Sequence, residues 1–229
     1  MKKLLILLST LVFATGIFAA PAGTSKISLL AGAGLGFPTG DIPKGSKAKE
    51  AFAYELGLQY SFFVAEEVSL VLGTTYTKTS LRADKALIAG AIIDPMFAGQ
   101  FFPADSKTST DFFNISLGGR YHVSLAFFGA GLTYGIKVSD RKSTLELEVP
   151  FVGKQTIETT TPSKYTKNNL SVYAEGGVSF ELSQSFVLDL GAKFSWGLVN
   201  TLDTTGDPAM EQKMKSHTFI ISAAVGYLF

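Results

Sequence analysis

Only two histidines and no cysteine occur in the 229 residues, so side chains able to do covalent or metal chemistry are few. His217 follows Ser216, and Asp203 and Asp207 lie shortly before them, which supplies the residue types of a Ser/His/Asp nucleophile set. Neighbours on a strand point to opposite faces and no nucleophile-elbow sequence accompanies the pair, so the set is not expected to assemble. His122 stands apart from it. The missing cysteines remove thiolate metal sites, disulfides and lipid attachment through an N-terminal thiol. Gly32 to Gly36 echo a phosphate-binding loop, yet no helical pattern follows them. The expectation is a chain that is not an enzyme, with no catalytic residue, no metal and no cofactor.

A second set of polar residues makes sense only through the elements that carry it. Glu55, Gln59, Arg120, Glu175, Asp189 and Lys193 each stand in a segment of alternating apolar and small or polar residues, on the face opposite the large apolar side chains. Eight such segments recur, at 27–37, 52–62, 68–78, 112–123, 126–138, 169–182, 186–198 and 216–229. The second is the clearest: Phe52, Tyr54, Leu56, Leu58, Tyr60 and Phe62 oppose Ala53, Glu55, Gly57, Gln59 and Ser61. The last puts Phe219, Ile221, Ala223, Val225, Tyr227 and Phe229 on one oily face and ends the sequence there.

Each segment is long enough for the roughly 9–11 residues that a tilted membrane strand needs. After residue 25 no apolar run approaches the length of a membrane helix, so insertion has to be by strands that pair at both edges. Links between the second and third, fourth and fifth, and sixth and seventh segments are very short; the others are long and polar. Short turns on one rim and long loops on the other is the asymmetry of bacterial barrels. A secreted β-sandwich also alternates and turns at short spacing, but it demands neither a nearly charge-free oily face nor strictly alternating loop lengths. The expected fold is therefore all-β: an eight-stranded antiparallel transmembrane up-and-down β-barrel with short periplasmic turns and long extracellular loops.

Met1-Lys2-Lys3 gives a positive start, Leu4 to Phe18 an apolar run, and Ala19, Ala20 and Ala22 small residues for cleavage. Residues 1–20 read as a secretory signal peptide cleaved between about 19 and 22, followed by one domain over 26–229. The expected location is the bacterial outer membrane, with lipid and lipopolysaccharide as surroundings. Lysine plus arginine (20) nearly balances aspartate plus glutamate (19), so charge points to no nucleic-acid partner.

The polar face of an eight-stranded barrel meets an interior just wide enough for its own side chains or one small ligand. Counting from the short turns puts Glu55, Glu175 and Lys193 in one layer and Arg120, Asp189 and Gln59 in a lower one. Buried charges have to be paired, so two ion-pair layers across the lumen are expected. A structural plug is the leading reading of them, and a selectivity gate or proton path the other. Glu181 and Lys137 share the inward face.

The stretch between the third and fourth segments is too apolar for a solvated loop: Ala86-Leu87-Ile88-Ala89-Gly90-Ala91-Ile92-Ile93, then Met96-Phe97-Ala98 and Phe101-Phe102-Pro103. Three placements are open: packing over the barrel mouth, lying on the outer leaflet, or binding a hydrophobic ligand or surface partner within residues 80–110. Thr144 to Val149 and Gln155 to Thr159 flank Gly153 and predict a hairpin above the membrane.

Gly131-Leu132-Thr133-Tyr134-Gly135-Ile136-Lys137, Ala174-Glu175-Gly176-Gly177-Val178, Leu190 to Asn200 and the closing Val225-Gly226-Tyr227-Leu228-Phe229 resemble the small outer-membrane β-barrels often labelled "porin family", akin to PorT-like barrels. OmpW-like barrels, which carry small hydrophobic molecules, and OmpA- or OmpX-like barrels, which are structural or adhesive, stand close by. The resemblance implies that Phe219, Ile221, Val225, Tyr227 and Phe229 form a terminal signal read by the barrel-assembly machinery. These families share a scaffold and differ in role, so the label does not establish a pore. Two functions follow as expectations: a structural or surface-interaction role, or a narrow conduit for small or hydrophobic solutes. A barrel enzyme is a remote third.

Overall fold

A computed structural model describes residues 20–40, 47–89, 99, 101–149, 153–161, 168–200 and 214–229. Its strands are β1 (Ser25–Gly40), β2 (Lys47–Lys49), β3 (Ala51–Ala65), β4 (Val68–Ala89), β5 (Phe101–Val123), β6 (Ala126–Lys137), β7 (Arg141–Val149), β8 (Gly153–Thr161), β9 (Asn169–Glu181), β10 (Phe186–Gly197) and β11 (Met214–Leu228). The order β4-β3-β1-β11-β10-β9-β6-β5 is closed by pairing of β4 with β5, which makes a ring of eight. Every pairing in the ring is antiparallel, and β1 and β11 meet from Lys26↔Leu228 to Gly40↔Met214. Closure leaves the ring no free edge.

The outward face carries the oily set read from the sequence. Leu29 (67%), Leu117 (63%) and Ile221 (63%) are largely exposed, with a continuous belt of Leu, Ile and Val around them. A belt of that extent is unstable in water and matches a hydrocarbon environment. Aromatic residues rim it on both sides: Phe62, Tyr121, Phe128, Phe186, Tyr227 and Phe229 toward the turns, Phe52, Tyr76, Tyr134, Phe194 and Trp196 toward the loops. Eight residues separate Tyr227 from Phe219, which at a strand's rise and usual tilt is a height of about 20 Å. This is a membrane-spanning β-barrel. The turns at Glu66-Glu67, Ser124-Leu125 and 182–185 are as short as the sequence implies.

Above the belt the sheet continues where the sequence predicts a loop. The apolar stretch taken for a loop is in part sheet, because β4 and β5 run on as a pair through Ala86↔Ala104 to Ala89↔Phe101 after a bulge between Ala83 and Ala86. Residues 90–98 and 100 of that stretch lie outside the described residues. β2 adds to β4, and β7 and β8 form the expected hairpin, laid along β5 at Ala104 to Ser109. The barrel wall on this side thus rises into an extension of β2, β4, β5, β7 and β8. Side chains of β5 that face the lumen at Phe112 and Asn114 share their parity with Ala104 and Phe102, so the inward face turns apolar above the mouth. Phe102, Ala104 and Leu147 are buried there, with Ile157 packed on them. The opposite parity, lipid-facing below, carries Arg82, Asp84, Asp105, Lys107 and Glu146, as suits water. Phe102 and Ala104 thus pack on the hairpin of β7 and β8.

At the turn end Ala20 to Thr24 cross beneath the ring. The Gly23 N–H donates to the Phe63 carbonyl (2.7 Å), and the Phe63 N–H donates to that of Thr24 (2.9 Å). Ala20 is buried with Phe63, Leu125 and Val187, and Leu228 packs on the cluster. Residues 1–19, which hold most of the expected leader, lie outside the described residues.

Candidate functional site

The polar interior is built by alternation: each strand that buries its oily face in lipid must point its other face at the axis. Near the turns this collects four charges. The Arg120 guanidinium donates through Nε to Glu175 Oε1 (2.6 Å) and through Nη2 to Glu175 Oε2 (3.0 Å), a bidentate pair, while Nη1 reaches Asp189 Oδ2 (3.3 Å). The same Asp189 Oδ2 accepts from Lys26 Nζ (2.7 Å), and Oδ1 accepts from Ser179 Oγ (2.8 Å). Lys26 is 1% exposed and Arg120 4%. Two cations and two carboxylates cancel, and the hydrogen bonds hold both carboxylates, which is the condition for keeping such charges out of water. Phe127 lies under Arg120, with the guanidinium carbon 4.4 Å from the ring centroid.

A second pair stands nearer the loops, where Lys193 Nζ donates to Glu55 Oε2 (2.6 Å). The ion pairs thus fall into a quartet and a separate pair, grouped otherwise than counting from the turns places them. Glu175, placed with Glu55 and Lys193 by counting, joins Arg120 below, because a guanidinium fork offers a carboxylate two bonds where an ammonium offers one point contact. Gln59 is not in the network: its Oε1 is buried without a hydrogen-bond partner. Lys26, absent from the sequence expectation, is a full member. Glu181 faces solvent at the turn edge.

Below the quartet large rings and branched side chains fill the lumen. Phe63 and Val187 are fully buried, and His122 sits between the Phe63 and Phe127 rings with Ser69 Oγ 3.0 Å from its Nε2. Above it the lumen is lined by hydroxyls. A cavity of about 40 Å³ runs among Thr75, Thr77, Asn114, Ser171, Ser195 and Thr218. A second, of about 20 Å³, descends past Gln59 to Tyr173 and Glu175. Both share Glu55, Thr75, Ser116 and Lys193, and their size suits a few water molecules. The interior thus carries polar cavities from the loop side down to Glu175, and the quartet, His122, Phe63 and Val187 are packed between there and the turns.

Ser216 faces this lumen, whereas His217 faces outward and bonds Thr39 and the Gly197 amide. The two are not brought together, and Asp203 and Asp207 lie outside the described residues. Phe219, Ile221, Val225, Tyr227 and Phe229 all stand exposed on the outer face of β11. Among the described residues no cluster of three or more His, Asp or Glu is placed to hold a metal ion.

The closed ring, its lipid belt and its filled interior define an integral membrane β-barrel. No family model matches the sequence, and no curated protein matches it either. Solved structures with a similar course of the chain are outer-membrane barrels. Ail, the attachment invasion locus protein of Yersinia pestis, solved with the heparin analogue sucrose octasulfate, is 15% identical over 91% of this chain and 99% of its own, at a TM-score of 0.41. OprG of Pseudomonas aeruginosa is 14% identical over 93% and 99%, at 0.46. The outer-membrane protease OmpT of Escherichia coli is 14% identical over 92% and 98%, at 0.39.

Proposed function

We propose that the chain is a bacterial outer-membrane barrel with a sealed lumen, exported by a cleaved leader, whose work is a structural or surface-interaction role of the sheet above the loop-side rim. The observation that carries this reading is the seal: the Lys26–Asp189–Arg120–Glu175 quartet resting on Phe63, Leu125 and Val187. A solute crossing it would have to break paired charges in a low-dielectric interior and then displace an apolar cluster. Insertion through the barrel-assembly machinery, reading Phe219 to Phe229, belongs to the same proposal, as do short turns in the periplasm and the extension outside. A non-catalytic role belongs to the same proposal, supported by the pairing of Lys26, Arg120 and Lys193 with Asp189, Glu175 and Glu55.

The stacked hydroxyl-lined cavities favour a second reading, a narrow conduit that conducts when the quartet parts. Planar-bilayer recording separates the two. The sealed barrel gives no unitary current, whereas a clear wild-type current altered by Glu175→Ala or Lys193→Ala establishes the conduit instead.

A further inference from the structure

On the lipid-facing surface, at its loop-side end, Phe37, Phe194 and Trp196 border an open apolar groove of about 330 Å³ that is floored by His217 and Thr39. His217 stands in register between Phe37 on β1 and Trp196 on β10, on the outward face of β11. A histidine among lipid-facing residues is costly unless both ring nitrogens are satisfied. Here they are. The Gly197 amide donates to Nδ1 (3.1 Å), which leaves the proton on Nε2 to be donated to Thr39 Oγ1 (2.6 Å). The Trp196 ring meets the imidazole edge-on with centroids 5.3 Å apart, and His217, a residue 6% exposed, forms a flat, neutral floor between aromatic walls. Two residues along the same face, Lys215 pairs in register with Thr39 and sets a cation at the end of the groove farthest from the bilayer centre.

We propose that this groove seats one acyl chain of a lipopolysaccharide molecule, with a phosphate of the same molecule on Lys215. Chain and phosphate are the two halves of the site, apolar slot below and cation above, in the order that such a lipid presents them from the outer leaflet. The proposal rests on the reading that the loop-side rim faces the cell exterior. One basic side chain at an anionic surface is worth about 1 kcal/mol, which corresponds to a preference of about fivefold over a zwitterionic lipid.

Trp196 is the single tryptophan of the chain, so its fluorescence reports this groove alone. The full protein is reconstituted in dibrominated phosphatidylcholine, whose bromines quench Trp196 wherever the barrel inserts, and unbrominated lipopolysaccharide is titrated in. Recovery of fluorescence about fivefold beyond simple dilution in wild type, lost in Lys215→Gln, is the expected result. Recovery that follows dilution, or is unchanged in Lys215→Gln, overturns the site. Equal recovery with unbrominated phosphatidylglycerol overturns lipopolysaccharide as the occupant. Initial quenching, with migration on a gel that changes on boiling, establishes the inserted barrel independently, so failure of the groove and failure of the barrel are told apart.

Discussion

Arg120 is the residue on which the interior turns, since it binds Glu175 with two bonds, touches Asp189 and lies on Phe127. Truncation in Arg120→Ala leaves Glu175 without its cation and Asp189 with Lys26 alone. Removing one partner of a buried network typically costs about 3–5 kcal/mol. The expected outcome is a loss of that size in urea unfolding from lipid vesicles, with Arg120→Lys recovering only part because an ammonium cannot span both oxygens. A smaller perturbation tests the support beneath it. A Cβ at Gly177 would meet the Phe127 ring at 2.6 Å as well as the Leu190 carbonyl, so Gly177→Ala should shift the ring from under Arg120 and destabilise the barrel, with little change in a Gly153→Ala control, whose Cβ meets nothing but whose φ of +88° adds modest local strain. The charges of this network were legible from parity alone, because Glu55, Arg120, Glu175, Asp189 and Lys193 all oppose oily neighbours. Their partners were not. Which carboxylate Arg120 takes depends on side-chain reach and fork geometry, and Lys26 escaped notice because the oily period starts one residue later, at Ile27, although Lys26 shares the parity of Ser28.

Among the elements, the extension of β4 and β5 differs most from its sequence signal. Its alternation is broken twice, by the bulge at Ala83 to Ala86 and by Pro103, which has no N–H to give a ladder. Period-two reading therefore stops near residue 78 on one strand and resumes at 112 on the other, while the pairing between them continues. The eight ring strands carry no such interruption at their centres, and their order follows from short turns and alternation. On the outer face of the extension Asp84 is held by Lys49 and Arg82, and Arg82 also reaches Asp105 (3.2 Å). The hydrogen bond from Lys49, with the charges of Lys49 and Arg82, keeps the Asp84 carboxyl below its ordinary value. A carboxyl with a depressed folded-state pKa stabilises at pH above its unfolded value, about 3.9, and loses that contribution as pH falls through the folded value. Amide hydrogen exchange in β2 and the neighbouring part of β4 should accelerate below about pH 4 relative to the barrel strands, and Asp84→Asn should remove that pH dependence. Equal acceleration in Asp84→Asn would assign the effect to other groups. The change is small, as these side chains are solvated and salt screens them.

For the whole molecule the arrangement amounts to two seals in series, a charged one at Lys26, Arg120, Glu175 and Asp189 and an apolar one at Phe63, Leu125 and Val187. Series barriers make a specific demand on conductance. Opening the upper seal by Arg120→Ala leaves ions facing an apolar constriction that stays dry, so no current is expected. Opening the lower one by Phe63→Ala leaves the paired charges in place, and again none is expected. Both substitutions together connect the hydroxyl-lined cavities to the turn side, and only that double variant should give a small unitary current in a planar bilayer. Each variant has first to show migration that changes on boiling, so that a silent recording is not mistaken for an unfolded chain. Current in Arg120→Ala alone would mean that the quartet is the sole barrier and would move the protein toward the conduit reading. Silence in a correctly inserted double variant would mean that the lumen is filled along its whole length, and that function resides entirely in the outer surface and the extension above it.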